Sequence, residues 1–451
     1  MEYKYGFATE TKNKETFKKG LNAEIIKKIS EIKGEPEWMK KFRQDAYKQF
    51  LNIKNPTFSF DLSFIDFNEF IYYSSLDKSS EKWEDVPLEI KNTFEKLGIG
   101  EKEQKVLSGI NEQFDSETIF HSLQKEIKKK GIIFCSIDEA IKNHGDIVKK
   151  YIGTLVSSND NKYAALNSCV CSGGTFLYVP KKTILERPLQ SYFRINTKSV
   201  GQFERTLIII EEDCDIKYME GCTAPVYDKN NLHAAVVEVF VGKNSKFQYT
   251  TIQNWSKNVI NLVTKRAIVE ERGYIEWIDG NIGSFINMKY PCSILKGDYA
   301  KAKCISIAAC SSGMKQDTGA KMIHLGKNTR SSIISKTIAS MDGVANYRGL
   351  VKITKSANDS YAEVECDTLL LNEYSSSDTI PTEIIENDSS FIKHEAKITN
   401  IDREIMFYLS SKGIDKKKAK QMYSLGFFKP FADTLPLEYA VELNRLLKEL
   451  I

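Results

Sequence analysis

The chain has 451 residues, in which 64 lysine and arginine side chains nearly balance 60 aspartate and glutamate side chains, leaving a formal net charge of +4. A hydrophobic fraction of 41% and a charged fraction of 27% are typical of globular proteins, so wholesale disorder and a multi-span membrane protein are excluded. The small and evenly spread charge also argues against a nucleic acid as partner, because nucleic-acid-binding proteins concentrate basic residues in one patch.

Residues 1–155 are predicted to form a mostly helical N-terminal domain. Apolar residues between positions 21 and 32 recur at helical spacing. Pro36 suits the first turn of a second helix, because proline lacks the amide hydrogen that this position leaves unbonded. Ser136 and Glu139 have the spacing of a capping box, so a further helix is expected to start there.

Residues 156–388 change in character and predict an all-β core. Short runs rich in β-branched residues are separated by turns of Gly, Asn and Asp. The clearest runs are residues 207–210, 235–241, 274–278, 305–308, 332–335 and 350–353. This domain is large for one β-sandwich, whereas a β-solenoid can add strands in one direction without limit. No strict repeat period occurs, so the pattern alone leaves both architectures open.

Residues 389–451 are predicted to form a helical C-terminal domain. Asp415 can cap a helix that ends at Gly426. Pro436 can open a last helix, in which leucines up to Leu450 form one apolar stripe. Such a stripe is more typical of a packing or docking surface than of a cofactor site.

The cysteines and the start of the chain indicate a reducing compartment. Nine cysteines are an odd number, which predicts free thiols rather than a disulfide framework. No Cys-x-x-Cys pair occurs, so a closed structural zinc site is not expected. The first residues show neither a signal peptide nor a transit peptide, and no run of about 18 apolar residues could span a membrane. We therefore expect a protein of the bacterial cytoplasm, or of the stroma of a plastid or apicoplast that encodes its own copy.

Cys222 is the first candidate for chemistry. It lies in the segment Glu220–Pro225, where a flanking glycine and proline predict a turn that holds the thiol in place. Cysteine is the natural acceptor of sulfane sulfur, because its thiolate attacks a persulfide and retains the transferred sulfur. A buried cysteine of the hydrophobic core is the alternative interpretation.

Cys366 is the second candidate, together with His394 and Glu395, which follow 28 and 29 residues later. A thiolate, an imidazole and a carboxylate form a plausible mixed iron site. Fewer than four thiolates would hold an iron–sulfur cluster weakly enough to be passed on, whereas electron carriers use four cysteines. The alternative is that these residues have separate structural roles.

Several common enzyme motifs are missing from the sequence. No Gly-x-Ser-x-Gly elbow occurs, and no hydrolytic triad is evident among the five histidines. Neither the Walker A pattern nor Gly-x-Gly-x-x-Gly is present, so the chain is not expected to hydrolyse ATP or to bind a dinucleotide by itself.

Short motifs spread over nearly the whole chain resemble those of the SufB/SufD family, the scaffold subunits of the Suf iron–sulfur cluster assembly machinery. In chain order they are Tyr3-Lys4-Tyr5-Gly6-Phe7, Glu35-Pro36-Glu37-Trp38-Met39, Arg194-Ile195-Asn196, Glu220-Gly221-Cys222-Thr223-Ala224-Pro225, Leu232-His233-Ala234-Ala235-Val236-Val237-Glu238, Gln253-Asn254-Trp255, Val263-Thr264-Lys265-Arg266, His394-Glu395-Ala396 and Leu435-Pro436-Leu437-Glu438. Each motif is short, but their joint order is highly specific.

The resemblance implies a right-handed parallel β-helix core between helical N- and C-terminal regions. It also implies a non-enzymatic scaffold that works in a complex with the ATPase SufC and with SufD or a second SufB subunit. A cysteine desulfurase would supply sulfur through a sulfur-carrier protein, and the C-terminal region would dock the ATPase. The cargo would be a transient iron–sulfur cluster, whose nuclearity stays open, as does the participation of a flavin.

The resemblance also implies roles for individual residues. Cys222 matches the sulfur acceptor, and Cys366 and Glu395 match the leading cluster ligands, with His394 as a further candidate. The residues that match an internal sulfur path are Arg194, Asn196, Gln253, Trp255 and Lys265. One departure is Lys393, where many family members have glutamate. A lysine cannot replace a carboxylate as an iron ligand at neutral pH, which puts the role of that position in doubt.

Two other functions stay open from the sequence. A purely structural sister subunit like SufD would share the fold, but the presence of both Cys222 and Cys366 argues against it. A β-helix carbohydrate lyase or hydrolase would need a dense row of charged residues on one sheet face and would usually be secreted. The sequence shows neither such a row clearly clustered nor a signal peptide.

Overall fold

A computed structural model of the chain describes residues 15–75, 109–114, 117–123, 125–194, 200–224 and 231–432. The strands are β1 (Glu15–Thr16), β2 (Ser74–Ser75), β3 (Gly109–Phe114), β4 (Glu117–Leu123), β5 (Ile133–Ser136), β6 (Thr175–Val179), β7 (Leu189–Arg194), β8 (Arg205–Ile210), β9 (Asp215–Thr223), β10 (Asn231–His233), β11 (Val236–Val241), β12 (Lys246–Trp255), β13 (Val259–Val269), β14 (Tyr274–Gly283), β15 (Ile286–Lys289), β16 (Cys292–Leu295), β17 (Lys301–Cys310), β18 (Lys315–Thr318), β19 (Lys321–His324), β20 (Arg330–Ala339), β21 (Val344–Ile353), β22 (Tyr361–Leu370), β23 (Thr379–Ile385) and β24 (Phe391–Asn400). The helices are α1 (Ala23–Ile32), α2 (Glu37–Asn52), α3 (Lys125–Lys128), α4 (Ile137–Asn143), α5 (Gly145–Tyr151), α6 (Lys162–Val170), α7 (Arg403–Ser411) and α8 (Lys416–Ala432).

Most strands belong to two long sheets that together form a parallel β-helix of about seven turns. The ten-stranded sheet has the order β24-β22-β20-β17-β14-β12-β9-β7-β3-β4. The twelve-stranded sheet follows the path β15-β18-β21-β19-β16-β13-β11-β8-β6-β5, and β10 and β23 pair with strands of this path. Antiparallel pairing occurs at the β3–β4 and β5–β6 ends of the two sheets. The predicted fold class, mainly β with a β-helix core and helical ends, is confirmed.

The turns between strands use the residues that the sequence pattern indicated. Asn244, Arg272 and Asn328 have φ angles of 57°, 54° and 56°, in the left-handed region that asparagine tolerates better than most residues. Successive turns are also joined by hydrogen bonds, since the Asn244 amide donates to the Glu271 carbonyl and the Arg272 amide to the Asp298 carbonyl. The turns therefore stack in the same way as the strands that they connect.

Alternate side chains of each strand fill the space between the sheets. In β22, Ala362, Val364 and Cys366 are buried, whereas the residues between them are partly exposed. The main apolar cluster runs through this interior and includes Tyr249 and Trp277. All nine cysteines are buried free thiols, as the cysteine count predicted.

The helices α1, α2 and α6 pack together and against the twelve-stranded sheet. A buried ion pair ties α2 in place, because Arg43 holds Glu35 at 2.6 Å and also donates to backbone carbonyls at the end of α6. The predicted cap of α4 is confirmed, since the Glu139 amide donates to Ser136 Oγ at 3.1 Å. The strands β3, β4 and β5 lie in the same part of the chain, so this region contains strands as well as helices.

The helix α8 packs on the outer face of the ten-stranded sheet. Its Phe428 and Phe431 are buried in one cluster with Ile305 of β17. The prediction that this helix ends at Gly426 is wrong, because the helix continues to Ala432. A glycine inside a helix costs about 1 kcal/mol, which is less than burial of two phenylalanine side chains contributes.

The start of α8 agrees with the sequence. Asp415 caps the helix, since its Oδ2 accepts the amide of the second helical residue at 3.0 Å. The predicted last helix, from Pro436 to Leu450, lies outside the described residues. Within the described ranges, no helix has the length and apolar character needed to cross a membrane.

Candidate functional site

A column of polar side chains runs along the inner face of the ten-stranded sheet. Six neighbouring strands each place one such residue in register with the next. The residues are Glu220, Thr251, Asp279, Ser306, Ser335 and Cys366. All six are buried. Five steps of about 4.8 Å between strands make the column about 24 Å long. Polar groups are costly to bury, so a continuous row of them inside a β-helix calls for an explanation.

Cys222 lies beside the Glu220 end of this column. The two residues are two positions apart in β9 and face the same side, and Cys222 Sγ is 4.0 Å from Glu220 Oε1. Phe193, Trp255 and Val259 pack around the thiol. Burial raises the pKa of Cys222 well above its ordinary value, neighbouring carboxylates raise it further, and two lysines offset this only in part. The thiol is therefore protonated at neutral pH.

Two lysines from the opposite sheet reach into the column. Lys265 of β13 and Lys289 of β15 place their Nζ atoms 3.1 and 3.2 Å from the same oxygen, Oδ1 of Asp279. Lys265 Nζ also donates to Thr251 Oγ1 at 2.5 Å, and Lys289 Nζ donates to Gln253 Oε1 at 3.1 Å. All three charged side chains are buried. Two cations thus share one carboxylate inside the fold.

The protonation of these groups reflects burial and their mutual attraction. Burial raises the pKa of Asp279, but the two lysines outweigh it and hold that pKa below its ordinary value. Burial is the main cause that lowers the pKa of Lys289 to about 8. The repulsion of Lys265 also lowers this pKa, whereas the attraction of Asp279 raises it. Burial also raises the pKa of Glu220, although Lys265 and Tyr249 oppose it. Burial thus moves the pKa of Lys289 below, and that of Glu220 above, the ordinary value of each side chain.

The structure brings most of the predicted sulfur path together. Gln253 is the register partner of Cys222 on the neighbouring strand β12. Trp255 packs against the Cys222 thiol. Arg194 is buried and donates at 3.1 Å to the hydroxyl of the threonine that follows Cys222. Asn196 lies outside the described residues. Gln253, Trp255 and Lys265 thus lie on the inner side of the β-helix near Cys222, whereas Arg194 is in register with Thr223 and faces the other side of the sheet.

The opposite sheet carries its own row of polar residues. His233, Asn261, Asn287 and Gln316 are in register on four neighbouring strands. Asn261 Nδ2 donates to Asn287 Oδ1, and Asn287 Nδ2 donates to Gln316 Oε1, both at 2.7 Å. His233 bonds through Nδ1 to Asn261 Oδ1 at 2.5 Å and through Nε2 to Glu204. The interior is therefore polar on both walls over several turns.

Cys366 forms the other end of the column. The imidazole of His394, on the neighbouring strand β24, has its Nε2 3.3 Å from Cys366 Sγ. The second ring nitrogen, Nδ1, is 2.7 Å from Oε1 of Glu383 on β23. Burial raises the pKa of Cys366 to about 12, and nearby carboxylates contribute in the same direction. A thiol, an imidazole and a carboxylate thus lie in a row at the last turn of the β-helix.

The structure does not bring the carboxylate of Glu395 to this thiol. Glu395 follows His394 and points to the outer face of β24, where Glu395 Oε1 is 2.5 Å from Lys397 Nζ. Only its backbone carbonyl lies near the thiol, at 3.7 Å. Lys393 also faces outwards and pairs with Glu363 at 2.7 Å, so this lysine forms a surface ion pair. In the part of the chain that the structure describes, no three His, Cys, Asp or Glu side chains are grouped to hold a metal ion.

Sequence reasoning missed Asp279, Lys289 and Glu383. A signal existed for Asp279, because it follows Ile275 and Trp277 at alternate positions of one strand. The strand period therefore puts this carboxylate on the inner face. Lys289 and Glu383 lie in short strands without such a pattern, and only the structure shows their contacts.

Comparison with known proteins finds relatives over nearly the whole chain. Residues 193–427 match the family model described as "SUF system FeS cluster assembly, SufBD core domain", and residues 21–191 match "SufBD protein N-terminal region". The "Iron-sulfur cluster assembly protein SufB" of Bacillus subtilis is 48% identical over 448 residues, which cover 99% of this chain and 96% of the relative. An "Iron-sulfur cluster assembly SufBD family protein" of Staphylococcus epidermidis is also 48% identical over 448 residues, with the same coverage.

Proposed function

Since this chain belongs to the SufB/SufD family of iron–sulfur cluster assembly proteins, we propose that it is the scaffold on which new clusters are built. In this proposal Cys222 accepts persulfide sulfur, and Cys366 holds the growing cluster together with residues of β24. The observation that carries the proposal is the buried polar column, about 24 Å long, which joins the surroundings of the two thiols.

Sulfur arrives as a persulfide that a cysteine desulfurase forms and a sulfur-carrier protein delivers. The Cys222 thiol gives up its proton, and its sulfur attacks the outer sulfur of the donor persulfide. The sulfur–sulfur bond of the donor breaks as the new bond to Cys222 forms, and the donor leaves as a thiol with the proton. No electrons are consumed in this step. Glu220, 4.0 Å from Cys222 Sγ, is well placed to accept the proton first, because burial raises the pKa of this carboxyl group.

Release of the sulfur from Cys222 needs a two-electron reductant, here two external thiols that become a disulfide as the persulfide bond breaks and Cys222 returns to a thiol. The charges inside the column favour the passage of the released sulfide anion towards Cys366. At the level of Asp279, Lys265 and Lys289 supply two cations against one carboxylate. In a buried site such an excess of positive charge attracts anions strongly, because little water screens it. Beyond this level, the hydroxyl groups of Ser306 and Ser335 continue the column and can donate hydrogen bonds to an anion.

The cluster is built at the last turn of the β-helix. Cys366 and His394 present a sulfur and a nitrogen side by side, a combination that suits iron. Glu395 is the alternative partner of Cys366 in this proposal, because a turn of β24 that brought its outer face to the thiol would present Glu395 in place of His394. β24 is the edge strand of its sheet among the described residues, so such a change breaks hydrogen bonds on one side only. A cluster held by so few thiolates can be passed on to an acceptor protein.

The partners of the scaffold would contact the open end of the β-helix and the C-terminal helices. Phe391, Ile398 and Ile385 are exposed at 60%, 46% and 43% on the last strands, β23 and β24. Apolar side chains on an unpaired strand edge are typical of a surface that another chain covers. We assign this end to SufD or a second SufB subunit, and α7 and α8 to the ATPase SufC, whose nucleotide-dependent movement would open the cluster site.

Anaerobic reconstitution of the complex tests this function. The complex is incubated with Fe(II), a cysteine desulfurase and radiolabelled cysteine, and thiolate-to-iron absorbance and sulfur label on the chain are recorded. Cys222→Ser should prevent sulfur uptake. Cys366→Ser should still take up sulfur but should form little cluster. Cys310→Ser removes a buried free thiol outside the column and should behave like the parent protein.

Two outcomes would contradict the proposal. Unchanged cluster yield in both Cys222→Ser and Cys366→Ser would remove the assigned sites and favour a structural partner subunit. If Cys310→Ser lost as much cluster as the other two variants, the cluster yield would depend on folding and not on the sulfur path.

A further inference from the structure

Glu383 joins the two sheets at the end of the β-helix. It belongs to β23 of the twelve-stranded sheet, and its Oε1 is 2.7 Å from Nδ1 of His394, which belongs to β24 of the ten-stranded sheet. The exposed fraction of the side chain is 36% for Glu383 and 16% for His394. A largely enclosed imidazole is thus held by a carboxylate that solvent still reaches.

This contact decides which ring nitrogen of His394 carries the hydrogen. An ionised carboxylate can only accept a hydrogen bond, so Nδ1 of His394 must be the donor. A neutral imidazole then has its lone pair on Nε2, which lies 3.3 Å from Cys366 Sγ. The lone pair and the sulfur lie side by side, where one metal ion can bind both. Histidines that bind metals commonly donate their other ring N–H to a carboxylate in this way.

We propose that Glu383 is a positioning residue for iron capture. It holds His394 with Nε2 beside the Cys366 thiol, so that Fe(II) meets a nitrogen and a sulfur that are already oriented. Glu383 itself does not touch the iron. The inference rests on the proposed function, because it takes Cys366 and His394 as the residues that bind the iron of the nascent cluster.

The residue before His394 is a lysine, Lys393, so the neighbouring position in β24 supplies no carboxylate. Lys393 pairs with Glu363 on the outer face of the sheet. In this chain Glu383 brings a carboxylate to the imidazole from the other sheet. Glu386, three residues further on, pairs with Lys352 at 3.0 Å. Glu386 therefore provides a matched control of the same charge in the same part of the chain.

Fe(II) binding tests the role of Glu383. Binding to the full chain in its complex is measured anaerobically by competition with a coloured chelator. Glu383→Ala should weaken Fe(II) binding about 10- to 100-fold, the usual effect of losing a carboxylate behind a metal-binding histidine. Glu383→Gln keeps an accepting oxygen, so its affinity should lie between those of Glu383→Ala and the parent. Glu386→Ala should bind Fe(II) like the parent.

Nitrogen NMR of histidine provides a readout that needs no iron. With ¹⁵N-labelled histidine, the His394 ring of the parent should show a protonated Nδ1 and an unprotonated Nε2. In Glu383→Ala the two tautomers should mix, while the signals of the other histidines stay in place. Unchanged signals elsewhere also show that the variant is folded.

The results separate this inference from the proposed function. If Cys366→Ser and His394→Ala weaken Fe(II) binding while Glu383→Ala does not, the positioning role is wrong and the cluster site stands. If none of the three variants changes Fe(II) binding, the assigned cluster site is wrong. A parent spectrum with Nδ1 unprotonated would overturn the positioning role whatever the affinities are.

Discussion

Replacing Lys289 by methionine should make the protein more stable and less able to deliver sulfur to Cys366. Burial lowers the pKa of Lys289 from 10.5 to about 8. Each unit of pKa corresponds to about 1.36 kcal/mol, so keeping this ammonium charged inside the fold costs about 3 kcal/mol at neutral pH. Methionine has a similar length and no charge, but it loses the hydrogen bonds to Gln253 and Asp279, at about 1 kcal/mol each. The free energy of unfolding should therefore rise by about 1 to 2 kcal/mol.

The stability difference should depend on pH in one direction. Because the pKa of Lys289 is lower in the folded state, the unfolded chain binds more protons between about pH 8 and about pH 10.5. The parent protein therefore gains stability as the pH rises through this window. Below the window, the full free-energy cost of burying the charged Lys289 is present. Methionine does not titrate. The advantage of Lys289→Met should thus shrink by about 1 kcal/mol between about pH 7.5 and about pH 9.

Urea denaturation at both pH values measures this effect, and transfer of radiolabelled sulfur into the cluster measures function. Lys296→Met is the control, because Lys296 forms an exposed ion pair with Glu270 at 2.7 Å and should change stability by less than about 1 kcal/mol. A Lys289→Met variant that is less stable than the parent at neutral pH would refute the electrostatic reasoning. A variant with full sulfur delivery would show that Lys289 does not serve the path.

Other parts of the interior give equally specific expectations. Ser335→Val should lower the free energy of unfolding by no more than about 1 to 3 kcal/mol, because valine adds one heavy atom to a buried position, and should reduce the radiolabelled sulfur that reaches Cys366, because it interrupts the polar column. Glu238→Gln should lower the free energy of unfolding in urea by about 3 to 5 kcal/mol, because it leaves the buried Arg205 guanidinium without its charged partner at 2.7 Å. Cys222 should react with iodoacetamide much more slowly in the native than in the unfolded chain near neutral pH, since burial raises the pKa of its thiol; mass spectrometry of the modified peptide gives both rates.

Each of these expectations has a control or a contrary result. Ser332→Val changes the outer face of the same strand, and an equal loss of sulfur delivery there would mean that the column is not the route. Glu271→Gln removes an exposed partner of Lys243 and should cost less than about 1 kcal/mol; a similar cost for Glu238→Gln would contradict the estimate for the buried pair. Equal alkylation rates of Cys222 in native and unfolded chains would show that its thiol is accessible.

The strands of the core could be predicted because their signals are local. The run 235–241 became β11 and the run 274–278 became the first half of β14. Their parallel stacking could not be derived from periodicity, because the turns differ in length and composition, and it came from the family resemblance. The sequence predicted that α8 ends at Gly426, but the helix continues to Ala432. The local signal of the glycine is overridden because Phe428 is buried against a strand that is distant in sequence.

The residues of the candidate site could be predicted better than their orientation. A motif pointed to Cys222, and the combination of a thiol with His394 and Glu395 pointed to Cys366; the structure connects the surroundings of the two thiols. The side of the strand on which Glu395 lies depends on the register between β22 and β24. A shift of one residue in that register would move every side chain to the other face. The contact of Glu383 with His394 joins strands from two sheets, and it belongs to no motif.

The burial of all nine thiols also bears on survival under oxidants. Peroxide attacks thiolates that it can reach, and here burial keeps Cys222 and Cys366 protonated and away from solvent. Under the proposed function, the empty protein should therefore outlast a burst of peroxide with both thiols intact. If iron and sulfane sulfur are loaded as proposed, the sensitive period begins only with loading, and the occupied protein should need the most protection against oxygen.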